Sequence, residues 1–135
     1  MKKFFASGFL YNPEKKEILL HRRDGNTKVN PHKWAFFGGS SEEGETPVQT
    51  FVREMCEELG IKLLGKETVP LCDYLNTERN THRHVFYVVS DKKKNEMILG
   101  EGADFDWIPL DNISKYDLTD MTRNDIATFL KKIKI

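Results

Sequence analysis

The chain has 135 residues, enough for one domain with a substantial core and too few for two. Its 21 Lys and Arg balance 21 Asp and Glu, so the formal net charge is zero and a generic nucleic-acid binder, which needs a basic excess, is excluded. There is no apolar run of ~18 residues and no signal-peptide core, which predicts a cytoplasmic protein with no membrane partner.

Phe4 to Tyr11 reads as a strand, Asn12-Pro13-Glu14 as a turn and Glu17 to His21 as the hairpin partner. Arg22-Arg23 close that strand, and a polar loop runs from Asp24 to His32. Lys33 to Phe37 is a short aromatic strand leading into Gly38-Gly39, where the missing side chains let the backbone approach a metal or a phosphate closely. Thr46 and Gln49 form a capping box, Pro47 takes the first helical position and Gly60 supplies the left-handed stop. Between them Val48, Val52, Met55, Cys56 and Leu59 share an arc predicted to be buried, while Glu54, Glu57 and Glu58 share another. Cys56 and Cys72 lack metal-ligand spacing and are expected as reduced, buried thiols.

After this helix, Lys66 to Asn76 reads as a strand whose Pro70 marks an edge or a bulge, and Asn76 to Thr81 as a turn. His84 to Ser90 is the most strand-like run. Asp91 to Asn95 is a solvated charged loop, and Phe105 to Ile108 is the last strand. Thr122 to Ile133 has the pattern of an amphipathic helix, with Ile126, Phe129, Leu130 and Ile133 on one side. Strands interspersed with two helices predict a compact α/β sandwich, one domain over residues 1–135.

The acidic helix face is the odd feature. Like charges at i,i+3 and i,i+4 destabilise a helix by roughly 0.2–0.5 kcal/mol per pair. A hard divalent cation with oxygen ligands removes the conflict. Taken alone, three helical glutamates are more often a solvated face. The surrounding register decides otherwise: Gly39, Glu45, Arg53-Glu54, Met55, Cys56, Glu57-Glu58, Leu59, Gly60 and Ile61 resemble the signature of the Nudix hydrolases at every defining position. Ser41, Thr50 and Phe51 depart from the commoner residues within that box, and Phe37 stands where proline often precedes the glycines. None of these removes a proposed ligand.

The resemblance implies an α/β/α sandwich with a mixed β-sheet. It also implies Mg²⁺-dependent hydrolysis (Mn²⁺ as an alternative ion) of a nucleoside diphosphate linked to another moiety. Carried over by motif position, Glu54, Glu57 and Glu58 would bind metal together with the Gly38 carbonyl. Glu45 would organise the site by orienting Arg53. Glu101, in a Glu-Gly loop ahead of Asp106-Trp107, resembles a loop glutamate of MutT-like members and would serve as metal ligand or general base. Arg22 and Arg23 stand where some members contact substrate, and alternation points them to opposite faces, so one of the pair would bind phosphate alongside Gly38 and Gly39.

Several residues carry two readings. His82-x-His84 offers two metal-type ligands without a third in the sequence, so the Arg79–His84 hairpin reads instead as a surface that steers phosphate. Trp34, Phe36, Phe37, Tyr74 and Trp107 either stack a base or fill the core. The nucleotide partner is expected to be a nucleoside triphosphate, cleaved to monophosphate and pyrophosphate, with a nucleotide sugar or related derivative as the alternative. A non-catalytic nucleotide sensor of the same fold would typically lack box glutamates, all of which are present here. A prenyl-diphosphate isomerase needs a cysteine and glutamate placed for proton transfer, and neither cysteine has such a setting. Homodimerisation is common among members of the family, but the sequence marks no interface.

Overall fold

A computed structural model describes residues 2–25, 32–100 and 104–133. The N-terminal hairpin forms as its alternation and turn residues dictate: β1 (Phe4–Asn12) and β2 (Glu17–Arg22) flank a turn in which the Asn12 side chain accepts from the Glu14 and Lys15 amides. Two short strands follow, β3 (Trp34–Ala35) and β4 (Phe37–Ser40), so Gly38 and Gly39 lie inside a strand rather than after one. Next come helix α1 (Pro47–Leu59), β5 (Val69–Asn76), β6 (Thr81–Val89), β7 (Asp104–Pro109) and helix α2 (Asp120–Ile133). The expected strand from Lys66 begins later, because a 3₁₀ turn takes Gly65–Glu67.

The sheet is mixed. Its main path runs β3-β2-β1-β6-β5, β1 and β6 being parallel and the other pairs antiparallel. β7 adds to β2, and β4 pairs with the first half of β1, from Phe5 opposite Ser40 to Gly8 opposite Phe37. Strand β1 therefore forks, holding β2 at its far end and β4 nearer its start. Pro70 sits on edge strand β5 beside a register shift, where a missing N–H does least harm.

Each face of the sheet carries one helix, giving the Nudix-type α/β/α sandwich. Phe51, Met55 and Leu59 of α1 pack on Ala6, Leu10, Phe37 and Phe86. On the other face Ile126 and Phe129 of α2 pack on Phe9, Tyr11, Ile18 and Leu20. Of the aromatics, Phe36 and Phe37 are core; Trp107 packs against the α1-side core and Trp34 against the α2-side core. Tyr74 donates to the Asp125 carboxylate at 2.8 Å.

Two expectations are corrected here. Cys56 is exposed. The helix is rolled so that Phe51, its largest apolar side chain, faces the sheet, and the buried stripe becomes Phe51, Met55, Glu58 and Leu59 with Thr50 at its margin. Cys72 is half-buried, and burial pushes its thiol up to about 11. Arg83 is not a phosphate-steering group: it is buried on the α2 side, 3.0 Å from the Asp125 carboxylate. Alternation along β6 sends it inward, while its neighbours His82 and His84 face the opposite way.

Candidate active site

The box helix is fixed first at its ends. The Thr46 hydroxyl accepts from the Gln49 amide at 3.2 Å, and the Gln49 side chain accepts from the Thr46 amide at 2.9 Å. Gly60 has φ 67° and donates to the Cys56 carbonyl, closing the last turn. Two carbonyls that this ending leaves open are used by the chain ahead of β7. Ile98 donates to the Leu59 carbonyl at 3.1 Å and Gly100 to that of Glu58 at 2.7 Å. Gly100 is needed there, since a Cβ would meet the Glu57 carbonyl oxygen.

Arg53 is the hub. Its Nε donates to Glu45 at 2.7 Å, and Nη2 donates to the Ser40 carbonyl at 2.9 Å. Nη1 reaches Glu54 at 3.0 Å and Glu57 at 3.2 Å. Glu45 also accepts from the Glu42 amide and from the Thr50 hydroxyl, each at 2.8 Å. One guanidinium thus ties the glycine strand, the loop and the helix together. The Ser40 carbonyl and Thr50 were not visible as site groups in the sequence, because a backbone acceptor carries no residue signature and Thr50 occupies an unusual position of the box.

The three helix carboxylates sit in different surroundings. Glu58 is buried and accepts the Gly38 amide at 2.9 Å. Glu54 is nearly buried against Gly39, where any Cβ would collide with its carboxylate. Glu57 is more than half exposed. They do not gather onto one point in this structure, since Arg53 draws Glu54 and Glu57 while Gly38 holds Glu58. Gly38 has φ 150°, and a Cβ there would run into the Ala6 carbonyl and Ser7 of the neighbouring strand. Arg22 and Arg23 are half-buried at the end of β2, Arg22 opposite Trp34 on one side and Asp104 on the other. Glu101 lies outside the described residues, directly after the docked Gly100.

A family model for the NUDIX domain matches residues 2–132. The chain belongs to the Nudix hydrolase family. Nucleoside triphosphatase NudI of Salmonella newport (strain SL254) is 29% identical over 119 residues, covering 81% of this chain and 84% of that protein. The MutT protein of Methanosarcina mazei Go1 superposes with a TM-score of 0.76 at 23% identity, over 98% of this chain and 95% of that one. The NUDIX domain of Shewanella oneidensis NrtR, solved in complex with ADP ribose, gives a TM-score of 0.76 at 16% identity, over 97% of this chain and 86% of that one.

This Nudix hydrolase is a pyrophosphohydrolase, and hydrolases of the family generally use a divalent metal. The donor set here fits one. The Glu54, Glu57 and Glu58 carboxylates offer oxygen donors, the type a hard cation takes. The place a Cβ would take at Gly39 is occupied by the Glu54 carboxylate, so glycine lets that oxygen donor lie against the β4 backbone. Arg53 is shared among Glu42, Glu45, Glu54 and Glu57, so one positive charge faces four carboxylates and the acidic face keeps a negative excess that a cation would offset.

Two of the shifted groups, His21 and Glu45, are tied to the site strands and the box helix and make stability pH-dependent. Burial pushes His21 from 6.5 down to about 4; its Nε2 lies 2.9 Å from the Phe36 carbonyl, and its Nδ1 has no partner among the described residues. A histidine held neutral in the fold is protonated first in the unfolded chain, so its stabilisation is present above pH ~6.5 and is lost as pH falls toward ~4. The hydrogen bond from Arg53 holds Glu45 at about 2, below its usual 4.5. That contribution is present above pH ~4.5 and is lost as pH falls toward ~2. Chemical denaturation at stepped pH should show both losses. His21→Gln should reduce the slope of the upper window, to which His84 also contributes, and Glu45→Gln that of the lower window, to which Asp73 also contributes. A His21→Gln profile parallel to wild type between pH ~6.5 and ~4 would contradict the assignment.

No helix among the described residues is long and apolar enough to cross a membrane.

Proposed function

We propose that the protein hydrolyses a nucleoside triphosphate to the monophosphate and pyrophosphate, with Mg²⁺ as its ion and Mn²⁺ as a substitute. The carrying observation is the Arg53-centred array on α1, in which Glu54 and Glu57 flank one guanidinium and Glu58 is tied to the glycine strand. The relative named nucleoside triphosphatase NudI favours a triphosphate substrate. Glu54, Glu57, Glu58 and the Gly38 carbonyl are the proposed ligands, with Glu101 as a further ligand or the general base. The bound ion would screen the phosphate charge and acidify the attacking water.

The chain's own residues supply the rest. Glu45 fixes Arg53, and Arg53 fixes the directions of Glu54 and Glu57; loss of such orienting partners typically costs metal sites 10–100-fold. Gly38 lets β4 pack closely on β1, and Gly39 lets the Glu54 carboxylate lie against the β4 backbone. Arg22 or Arg23 adds a cation for the third phosphate. One water oxygen bonds to phosphorus and gives its proton to the general base, one phosphoanhydride bond breaks, and the products leave as nucleoside monophosphate and pyrophosphate while the base returns the proton to solvent.

A second reading, hydrolysis of a nucleotide sugar or ADP-ribose-like derivative, draws support from the neighbouring NUDIX domain solved with ADP ribose. A panel of triphosphates, canonical and oxidised, and of nucleotide sugars, assayed with Mg²⁺, separates the two. The proposal expects triphosphate turnover, and expects Arg23→Ala to raise KM for the triphosphate more than for any nucleotide sugar. Turnover of nucleotide sugars with no action on any triphosphate would reject it.

A further inference from the structure

The sequence shows His82-x-His84 with no third ligand in reach. The fold supplies one. In the β5–β6 pairing Asp73 stands directly opposite His84, and Leu75 opposite His82. Residues two apart on a strand share a face, so both histidines and Asp73 project together. That face is the α1 side, because Phe86, next in the same alternation, packs on Phe51 of the helix at 5.6 Å between ring centroids. One donor atom from each of Asp73, His82 and His84 lies within 4.8 Å of the other two. The His82 Nε2 is 2.7 Å from the Asp73 carboxylate, and the imidazole rings of His82 and His84 are 4.8 Å apart.

We propose that Asp73, His82 and His84 form a second cation site, one for a divalent transition metal of the Zn²⁺ class. It is separate from the oxygen-only site on α1. Two imidazoles and one carboxylate suit such an ion, and an all-oxygen set does not select it over Mg²⁺. A tetrahedral ion holds its N and O ligands at ~2.0–2.2 Å, so the three donors need only small side-chain rotations to close on it. The His84 ring makes a T-shaped contact with Phe4 at 5.3 Å between centroids, which limits the ring's freedom. Burial, followed by the neighbouring His82, lowers the His84 pKa, and the His82 hydrogen bond lowers that of Asp73; each group is thereby biased toward its ligating form. With three protein ligands, the fourth position is left for water or a substrate oxygen.

The site is open, with His82 and Asp73 each about half exposed, so an ion can enter without unfolding the hairpin. A bare His–Asp ion pair on a surface strand is the competing account. It predicts no metal affinity beyond that of scattered surface groups.

The test is titration of the full chain with Co²⁺ and then Zn²⁺, in saturating Mg²⁺ so that the oxygen site is filled. Binding is followed by calorimetry and by the visible Co²⁺ spectrum. The background is Cys56→Ser, because an exposed thiol is a soft donor that competes for Zn²⁺ and Co²⁺. The expected result is one equivalent bound with a nitrogen- and oxygen-type Co²⁺ spectrum. His82→Ala, His84→Ala and Asp73→Asn should each weaken it by about 100-fold or more, since removing even an outer partner of a ligand costs 10–100-fold. Circular dichroism and the thermal midpoint identify any variant that fails to fold, and the other two then carry the comparison. Absence of a saturable site in the parent, or equal binding in folded variants, would overturn the proposal.

Discussion

Glu57→Gln should lower kcat by about 10²–10⁴ while leaving the fold intact. The substitution keeps side-chain length and helix propensity and removes one charge from the α1 face. Glu57 is the most exposed of the three helix carboxylates, and its contact with Arg53 is a surface pair of i,i+4 spacing. Such a pair contributes only about 0.3–0.5 kcal/mol, so stability should barely change. The loss in rate should come from weaker stabilisation of the charge that builds on the leaving phosphate. It should therefore persist when Mg²⁺ is raised to saturation. Hydrolysis near the wild-type rate under those conditions would remove Glu57 from the site and leave Glu54 and Glu58 to account for it.

The second large effect lies on the opposite face of the sheet and concerns stability alone. Arg83→Met should cost about 3–5 kcal/mol, because it strands the Asp125 carboxylate among apolar groups. Asp125 is 2% exposed and Arg83 is 8% exposed. The ion pair at 3.0 Å is supported by the Tyr74 hydroxyl at 2.8 Å on the same carboxylate. The double replacement Arg83→Met with Asp125→Leu should recover most of the loss, since a buried pair is often no better than well-packed apolar residues. Urea denaturation midpoints of the two variants check this. A single-variant cost under about 1 kcal/mol would mean the pair behaves as an exposed one.

The contrast between these residues shows what the sequence made legible. The box helix was readable end to end, because Thr46, Pro47, Gln49 and Gly60 are local signals acting within a few residues of one another. The hairpin of β1 and β2, the bulge near Pro70 and the α2 stripe followed from equally local chemistry. What failed depended on contacts across the sheet. Cys56 and Glu58 exchanged their expected exposures because Phe51 fills the space over β1 and β6 and because the Gly38 amide offers Glu58 a buried partner. Periodicity ranks arcs of a helix by polarity, and it cannot see a backbone donor waiting on another strand. Arg83 was misread for the same reason: its partner Asp125 is 42 residues away and one layer below.

The candidate site divides along the same line. Glu45 and Arg53 were expected to pair from the motif, and they do so at 2.7 Å. The Ser40 carbonyl and the Thr50 hydroxyl complete that pairing without any sequence sign. Asp73 joined the two histidines only through strand register, which no spacing along the chain encodes. Glu101 lies outside the described residues, and the role proposed for it rests on the resemblance of its Glu-Gly loop to that of MutT-like members.

The most direct measurement of the central claim is product analysis of a nucleoside triphosphate turned over with Mg²⁺ in ¹⁸O-labelled water. The account predicts nucleoside monophosphate and pyrophosphate in equal amounts, with one labelled oxygen per turnover in one of the two. It also predicts that no inorganic phosphate forms and that Glu57→Gln abolishes most of the incorporation. Release of nucleoside diphosphate and labelled inorganic phosphate, or no incorporation from any triphosphate, would contradict it.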